Sequence, residues 1–473
     1  MAYKTGDRYQ INMLPTSIEE YISEGDPVRA YDAFVEALDI ETLGLTINTN
    51  KVGPSAYEPK SMIKLLVYGY SYGWRSSRKL ERATHHNLSF IWLLGGLKPD
   101  HKTIARFRSE NKEVIRNILK QCAQICLKLN LIEGNTLFVD GSKFRANAGI
   151  KNTKTKASWE QGLKEIDLQI DKILDECTNI DQDENGSFVT MNEELKDKKI
   201  LKAKIESMLK QMDIQSKERI NSTDKDCVRI RGRQGSHVGY NSQVVVDEKN
   251  GLIVSTDVVD ENNDLHQFSS QIMQANEVLG KQCKTACADA GYSNTSNLKE
   301  CLEAGINVVV PSQKQIELSR KIDKEIYQFI YDAEMNRYIC PEGTYLEYSY
   351  FHKKKQTDRY KIRPKTACKK CHNFGKCTSS KDGKVISRLA DEKTKDKLNQ
   401  IYASPDGQAI YSKRKQKIEL VFGHIKRNLN AGSFLLRGLK GVNTEMAINS
   451  TCFNIARMIT VFGGVREFVE KLA

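Results

Sequence analysis

The chain has 473 residues, of which 39% are hydrophobic and 28% are charged, and its formal net charge is +13. It can therefore form a globular core, and its length predicts about three domains. The polar start MAYKTGDRYQINML lacks the apolar centre of a signal peptide, and no apolar run is long enough to span a bilayer. We therefore expect a cytosolic protein without a membrane partner. The basic excess favours a polyanionic partner, although a generally basic protein that binds nothing specific is the alternative.

Residues 1–130 are predicted to form a helical domain. In YEPKSMIKLLVYGYSYG the apolar residues recur at helical spacing, and Pro59 lies near the start, where a proline is tolerated. Asp100 is predicted to cap a later helix that carries basic residues. Short helices with Arg and Lys on one face suit a helix-turn-helix-like DNA-binding module, and a bundle with a solvated charged face is the alternative. The predicted DNA-contacting residues are Arg75, Arg78, Lys79, Arg106 and Arg108.

The pattern changes after Gly134, where NTLFVDGSKF predicts a strand that leads to Asp140. Residues 155–222 are charged and predict an inserted helical hairpin, either a solvated spacer or an element of dimerisation. Strand signals resume in GYNSQVVVDEKNGLIVSTDVVD, where two β-branched runs flank the turn signal Asn250-Gly251. A helix, the strand KTACADAGY, a second helix and the strand INVVVP follow.

This succession predicts an α/β fold, with a ribonuclease-H-like mixed-sheet core and an all-α N-terminal domain. The predicted domains are 1–130, which would bind DNA, and 131–473, which would form the core. The second is interrupted by the hairpin 155–222 and by a basic insertion, 312–405, that contains cysteines.

Three carboxylates occupy positions that a divalent metal site would need. Asp140 and Asp289 each end an apolar run that predicts a buried strand, and Glu419 lies within a basic helix. Residues just past strand ends lie at the rim of a mixed sheet, where sites are built. Two strand-end acids and one helical acid can form a two-metal site for phosphoryl transfer. A structural turn is the alternative for a single Asp-Gly, and the pairing of two compatible strands makes that alternative weaker.

The helix that carries Glu419 is rich in cations. At about 100° per residue, Tyr411, Lys415, Glu419 and Lys426 fall on one face within roughly 80°. Glu419 could then complete a metal site, while the two lysines grip the phosphates on either side of the reacting bond. A salt-bridged surface helix is the alternative. Apolar neighbours nevertheless indicate that one side of the helix is packed; they are Leu420, Val421, Phe422 and Ile425.

Together these segments resemble the DDE transposases of bacterial insertion sequences, in particular the group whose last motif reads Y, R, E, K. The resemblance covers nearly the whole chain. Residues 57–108 resemble the N-terminal DNA-binding region of that group, and FVDGSKFRANA, GYNSQVVVD, ADAGYSN and IELVFGHIKRN...FLLRGL resemble its catalytic core. The resemblance implies a triad that binds two Mg²⁺ or Mn²⁺ ions, formed by Asp140, Asp289 and Glu419. The supporting positions are matched by Tyr411, Arg414 and Lys426.

The last motif departs from the usual spacing Y-x2-R-x3-E-x6-K. Arg414 is one residue too far from Glu419, whereas Lys415 has the usual x3 spacing, and helical geometry favours Lys415 on the Glu419 face. Asp264 in ENNDLHQF is an alternative second aspartate. It ranks below Asp289, which ends a buried strand and matches the family motif.

The resemblance implies a transposase that binds the terminal inverted repeats of its element, cuts the element ends and joins the freed 3′-OH ends to target DNA. Two ends must come together, so the resemblance also implies a homodimer on double-stranded DNA. It places the protein in the bacterial cytosol at the nucleoid, with no small-molecule substrate. A structure-selective nuclease and a non-catalytic DNA-binding protein derived from a transposase are the alternatives.

Four cysteines cluster late in the chain, at Cys340, Cys368, Cys371 and Cys377. The C-x2-C pair is typical of a zinc knuckle, and the two other cysteines could complete a four-thiolate structural zinc site. Reduced thiols in an insertion are the alternative. The intervening FHKKKQTDRYKIRPK combines basic and aromatic residues, which suits a phosphate backbone or a solvated pair of strands.

Overall fold

The computed structural model describes residues 17–45, 57–180, 188–232, 235–320, 329–353, 357–378, 380–389 and 391–473. The chain divides into two compact units. The first unit contains Met1–Ala286 and Lys413–Ala473, and the second contains Cys287–Ser412. Among the described residues, no helix is both long enough and apolar enough to cross a membrane.

The first unit opens with helices. They are α1 Pro27–Glu36, α2 Pro59–Ser71, α3 Ser77–His86, α4 Leu88–Leu93, α5 His101–Glu110 and α6 Lys112–Lys128. Pro59 is the first residue of α2, and Asp100 caps α5 by accepting the N–H of Thr103 at 2.8 Å. Both predicted helix starts are therefore confirmed, since proline and aspartate satisfy these positions for the reasons given above.

Strands and three more helices follow. The strands are β1 Thr136–Arg145, β2 Thr153–Thr155, β3 Arg219–Asn221, β4 Val228–Gly232, β5 Gly235–Asp247, β6 Ile253–Val259 and β7 Thr285–Cys287. The helices are α7 Lys156–Ile180, α8 Phe188–Gln215 and α9 Phe268–Leu279. The first unit thus has the predicted mixed α/β character, with a mixed sheet.

The sheet of the first unit places β4, β5, β1 and β7 side by side, and β6 also pairs with β5. Strand β1 runs antiparallel to β5, with Asp140 opposite Val244. Strands β5 and β6 form the predicted hairpin, and Gly251 in its turn has a positive φ of 69°. Side chains alternate between the two faces of a strand. Asp140 and Ser142 therefore share one face of β1, and Gly141 and Lys143 share the other.

Helices α7 and α8 form the predicted hairpin, and residues 181–187 between them lie outside the described residues. The hairpin is a packed element rather than a solvated spacer, because it has a small apolar core of its own. That core contains Trp159, Ile166, Ile170, Ile205, Met208, Met212 and Ile220.

The second unit combines short helices with a five-stranded antiparallel sheet. Its elements are α10 Thr295–Glu303, β8 Asn307–Val309, α11 Gln313–Arg320, β9 Ile330–Asp332, β10 Arg337–Ile339, β11 Tyr345–His352, β12 Thr357–Ile362, α12 Lys365–Lys370, β13 Val385–Leu389 and α13 Glu392–Ala403. The sheet order is β13-β12-β11-β10-β9. Its apolar core is small and consists of Tyr338, Leu346, Tyr360, Ile362 and Cys368.

The chain then returns to the first unit. Its last elements are α14 Pro405–Gly423, a π-helical turn His424–Asn428, α15 Gly438–Phe462 and α16 Val465–Leu472. Helix α15 is buried from Gly441 to Ile455 and packs against α2, α6 and β6. This packing unites the N-terminal helices with the sheet, so the division into units differs from the predicted boundary at residue 130.

Two asparagines on α15 bond to the backbone of β6. The Asn443 side chain accepts from the N–H of Val258 at 2.8 Å and donates to its C=O at 3.0 Å. Asn454 makes the same pair of bonds with Ile253, both at 2.8 Å. The two residues are three helical turns apart and therefore share a face of α15.

Candidate functional site

Asp140 lies in the middle of β1 in the first unit, and the strand continues to Arg145. The prediction that Asp140 ends its strand is therefore wrong, because β1 stays paired with β5 for five residues past it. Its side chain is 19% exposed, and its Oδ2 atom is 3.5 Å from Nη1 of Arg414, which is 16% exposed. Arg414 belongs to α14, so this helix covers the Asp140 face of the sheet. The cation at Asp140 is therefore Arg414, whereas the side chain of Lys415 is exposed.

A second cation from the same segment reaches the same face of β1. Nζ of Lys426 donates to Oγ of Ser142 at 2.6 Å and to the backbone oxygen of Lys143 at 3.0 Å. It also lies 4.6 Å from the centre of the Phe144 ring. Burial lowers the pKa of Lys426. Lys426 lies in the π-helical turn, so the uniform 100° spacing used to align it with Glu419 does not hold there.

Asp264 lies on the opposite face of β1 from Asp140. Its Oδ1 atom accepts from the side-chain amides of Asn241 and Gln243, each at 2.7 Å, and lies 3.3 Å from Nζ of Lys143. A Cβ atom placed on Gly141 would lie only 2.5 Å from this oxygen. Asp264 is thus held in a polar cluster that the sheet separates from Asp140.

Glu419 is exposed on α14 and lines an open cavity of about 650 Å³ within the first unit. It lies five residues after Arg414, which corresponds to roughly 140° around the helix. Arg414 and Glu419 therefore point in different directions, and Arg414 points towards Asp140. Other residues of the cavity supply cations, namely Lys417, Arg427 and Arg457.

Asp289 and Tyr411 lie in the second unit. Asp289 lies two residues past the Cys287 end of β7 and caps a short 3₁₀ turn, Ala290–Tyr292, by accepting the N–H of Gly291 at 2.8 Å. The Tyr411 ring packs edge-on against Tyr402, with ring centres 5.2 Å apart. The predicted position of Asp289 just past a strand end is therefore confirmed.

The three acids are chemically suited to a hard cation, because Mg²⁺ and Mn²⁺ prefer carboxylate oxygens. In the described part of the chain, however, no group of three or more His, Cys, Asp or Glu side chains is arranged to hold a metal ion. At Asp140 the neighbouring positive charge is the guanidinium of Arg414. The carboxylates thus fit the ion by type, and the arrangement of the triad stays a prediction.

The five predicted DNA-contacting residues separate into two classes. Arg78, Lys79 and Arg106 are exposed. Arg75 and Arg108 are only 8% and 9% exposed. The guanidinium groups of these two residues are buried within the first unit, where they bond to other groups of the protein.

The guanidinium group of Arg75 donates hydrogen bonds to three other residues of the first unit. Its Nη1 atom donates to Oε1 of Glu445 at 2.6 Å and to the backbone oxygen of Ser433 at 2.5 Å, and its Nη2 atom donates to the backbone oxygen of Asn430 at 2.9 Å. Arg108 in turn donates to the backbone oxygen of Arg75 at 2.8 Å. Both arginines thus have an internal role that sequence reasoning missed. The sequence feature that could have indicated this internal role is Glu445, a charged residue within the otherwise uncharged stretch GVNTEMAINSTCFNIA.

Two family models match the chain. Residues 339–459 match a transposase DDE domain, and residues 16–110 match a transposase domain, DUF772. Both matches support a DDE transposase. Such transposase domains generally use divalent metal ions. The matched ranges contain Glu419 and the predicted DNA-contacting residues, and they do not extend to Asp140 or Asp289.

A solved structure that resembles the chain is a cryo-EM structure of the piggyBac transposase synaptic complex with hairpin DNA. The two are 9% identical, the alignment covers 94% of this chain and 79% of that chain, and the TM-score is 0.34. A similarity of this strength carries no argument about this chain. No curated protein matches the chain.

Proposed function

We propose that the protein is a DNA transposase that binds the terminal inverted repeats of an insertion sequence, cuts the element ends and joins the 3′-OH ends to target DNA. The observation that carries this proposal is Asp140 on β1, flanked on one face of the sheet by Arg414 and Lys426. The two transposase-domain matches support it. We assign the chain to the insertion-sequence group with the Y, R, E, K motif.

The proposal includes a ribonuclease-H-like core. Support comes from the strand order β6-β5-β1-β7 and from the antiparallel pairing of β1 with β5 and of β5 with β6. It also includes a DNA-binding role for the N-terminal helices, through Arg78, Lys79 and Arg106. All three are exposed, and all lie within the matched transposase domain 16–110.

Asp140, Asp289 and Glu419 are proposed to hold two Mg²⁺ or Mn²⁺ ions when DNA is bound. Bound ions supply activation of the attacking oxygen and stabilisation of the leaving oxygen in an in-line displacement. Arg414 neutralises Asp140 in the absence of an ion, since opposite charges at this distance stabilise each other. The guanidinium must therefore leave Asp140 for an ion to bind, and it is then available to contact a phosphate.

Further contacts to the DNA backbone are proposed for the sheet of the second unit. Tyr345 and Tyr350 on β11 are 42% and 44% exposed, and each carries a cation on its ring. The Arg337 guanidinium lies 3.9 Å from the Tyr345 ring centre, and Nζ of Lys361 lies 5.2 Å from that of Tyr350. Aromatic rings beside cations suit both the bases and the phosphates of nucleic acid.

The test uses labelled DNA that carries the inverted repeats flanking the gene. The purified protein with Mg²⁺ or Mn²⁺ should cut at the repeat ends and produce joined products with a target plasmid. Cutting that never yields joined products would instead indicate a nuclease, and repeat binding without cutting would indicate a non-catalytic DNA-binding protein. Cross-linking on paired ends should give the proposed homodimer. Its proposed location is the bacterial cytosol, at the nucleoid.

Neutral isosteres separate the chemistry from DNA binding. Asp140→Asn, Asp289→Asn and Glu419→Gln should each abolish cutting and leave DNA affinity equal or higher, because a negative charge near the phosphates is removed. Asp264→Asn is the matched control and should keep measurable cutting, since Asp264 lies across the sheet from Asp140. Loss of cutting in Asp264→Asn together with its retention in Asp289→Asn would show that the second aspartate is wrongly assigned.

A further inference from the structure

Four cysteine sulfurs line one cavity in the second unit. The cavity has a volume of about 330 Å³, and its walls include Cys340, Cys368, Cys371 and Cys377. All four are free thiols, with Cys368 buried and the other three half-buried. They come from two separate parts of the chain, the β10–β11 loop and the segment that begins with α12, which the fold brings to one place.

Two of the four sulfurs already accept backbone hydrogen bonds. The N–H of Thr344 donates to Sγ of Cys340 at 3.3 Å, and the N–H of Lys384 donates to Sγ of Cys368 at 3.4 Å. Donors of this kind stabilise a charged thiolate more than a neutral thiol. A metal requires the thiolate form.

The backbone around these two sulfurs is turned tightly. The Cys340 loop closes through the bond from the Gly343 N–H to the Cys340 oxygen at 2.8 Å, and Gly343 has a φ of 75°, which a glycine adopts without strain. Cys371 ends α12 and donates its N–H to the Cys368 oxygen at 3.2 Å. Two cysteine-bearing turns therefore face the same cavity, which is how a zinc knuckle presents its ligands.

The charges around the cavity suit a four-thiolate site. Lys384 also lines the cavity, and its Nζ atom donates to the backbone oxygen of Cys377 at 3.1 Å. Zn²⁺ with four thiolates carries two negative charges, which a neighbouring ammonium stabilises. His372 is the available substitute ligand, but it is 74% exposed and lies 3.6 Å from Glu342.

We propose that Cys340, Cys368, Cys371 and Cys377 bind one structural Zn²⁺ ion, a role that goes beyond the proposed transposase activity and does not depend on it. In the structure described here the sulfurs line the cavity without converging on one point. Binding therefore requires the thiols to turn inward until each reaches about 2.3 Å from the ion. The cavity closes as a result.

A zinc ion at this position would stabilise the sheet of the second unit. Its apolar core comprises Tyr338, Leu346, Tyr360, Ile362 and Cys368, so one proposed ligand is itself part of that core. Small cores commonly need a metal or a disulfide in addition to apolar packing. A zinc ion here would tie the β10–β11 loop to α12, close to the ends of β10 and β12.

The test measures zinc in the full-length protein, purified under reducing conditions and reconstituted with zinc sulfate. We expect about one zinc per chain by elemental mass spectrometry. The protein reconstituted with Co²⁺ should show the visible absorption of a tetrahedral cobalt–thiolate site. Serine variants of the four cysteines should each lose most of the metal. Cys301→Ser on α10 is the matched control, since Cys301 is fully buried and does not line the cavity, and it should keep its zinc.

Absence of zinc after reconstitution, or full zinc content in all four serine variants, would overturn the proposal. Should those variants fail to fold, the wild-type protein decides. A cobalt spectrum without thiolate bands, or an unchanged melting temperature after removal of zinc by a chelator, would also overturn it. Asp140→Asn should retain zinc, so that failure of the zinc site and failure of the proposed transposase site remain distinguishable.

Discussion

Replacing Glu445 by glutamine is expected to destabilise the first unit by about 3 kcal/mol. Glu445 is fully buried, and its Oε2 atom accepts the N–H groups of Leu435 and Leu436 at 2.9 and 3.0 Å while Oε1 pairs with Arg75. Removing one partner of a buried ion pair costs about 3–5 kcal/mol, because the other charge is left uncompensated. The lower end of this range applies, because Arg75 can still donate to the backbone oxygens of Ser433 and Asn430 in the variant.

The assay is urea unfolding followed by tryptophan fluorescence, since Trp74 and Trp92 both lie in the first unit. Glu113→Gln is the matched control, because Glu113 and its partner Arg116 are 66% and 34% exposed, and an exposed pair contributes about 0–1 kcal/mol. Equal stability of Glu445→Gln and Glu113→Gln would refute the reasoning.

Three further outcomes follow from the structure. Arg414→Gln should tighten Mn²⁺ binding measured without DNA, because Asp140 loses a competing cation; unchanged or weaker binding would contradict this. Asn454→Ala should lower the free energy of unfolding by about 1–3 kcal/mol, because the Ile253 backbone groups are left unpaired; urea unfolding measures this. Burial raises the pKa of Asp247, so the native state holds this proton more tightly than the unfolded chain does, and the contribution of Asp247 to stability should fall as the pH rises above 3.8. Asp247→Asn should flatten that fall in urea titrations at several pH values.

The local elements of the fold could be predicted from sequence because their signals are local. These elements are the Asp100 cap, the strand that contains Asp140, the Asn250-Gly251 turn and the two helices of the inserted hairpin. Each depends on residues within a few positions of one another. Capping, β-branched runs and turn residues act over such short distances.

The burial of Arg75 could not be predicted in the same way. Its carboxylate partner is 370 positions away, and an exposed arginine on a helical segment has the same local pattern. The pairing of Arg414 with Asp140 has a similar origin. Helical phase places Lys415 on the Glu419 face, but it does not determine which side of α14 meets β1 or where the π-helical turn begins. Both are set by tertiary packing.

The asparagines of α15 have a consequence for assembly. In the described part of the chain, β6 pairs only with β5, so its outer edge would present unpaired N–H and C=O groups to any other extended chain. Asn443 and Asn454 occupy the groups of Val258 and Ile253 as a neighbouring strand would. At these two positions β6 therefore cannot pair with a strand from another molecule.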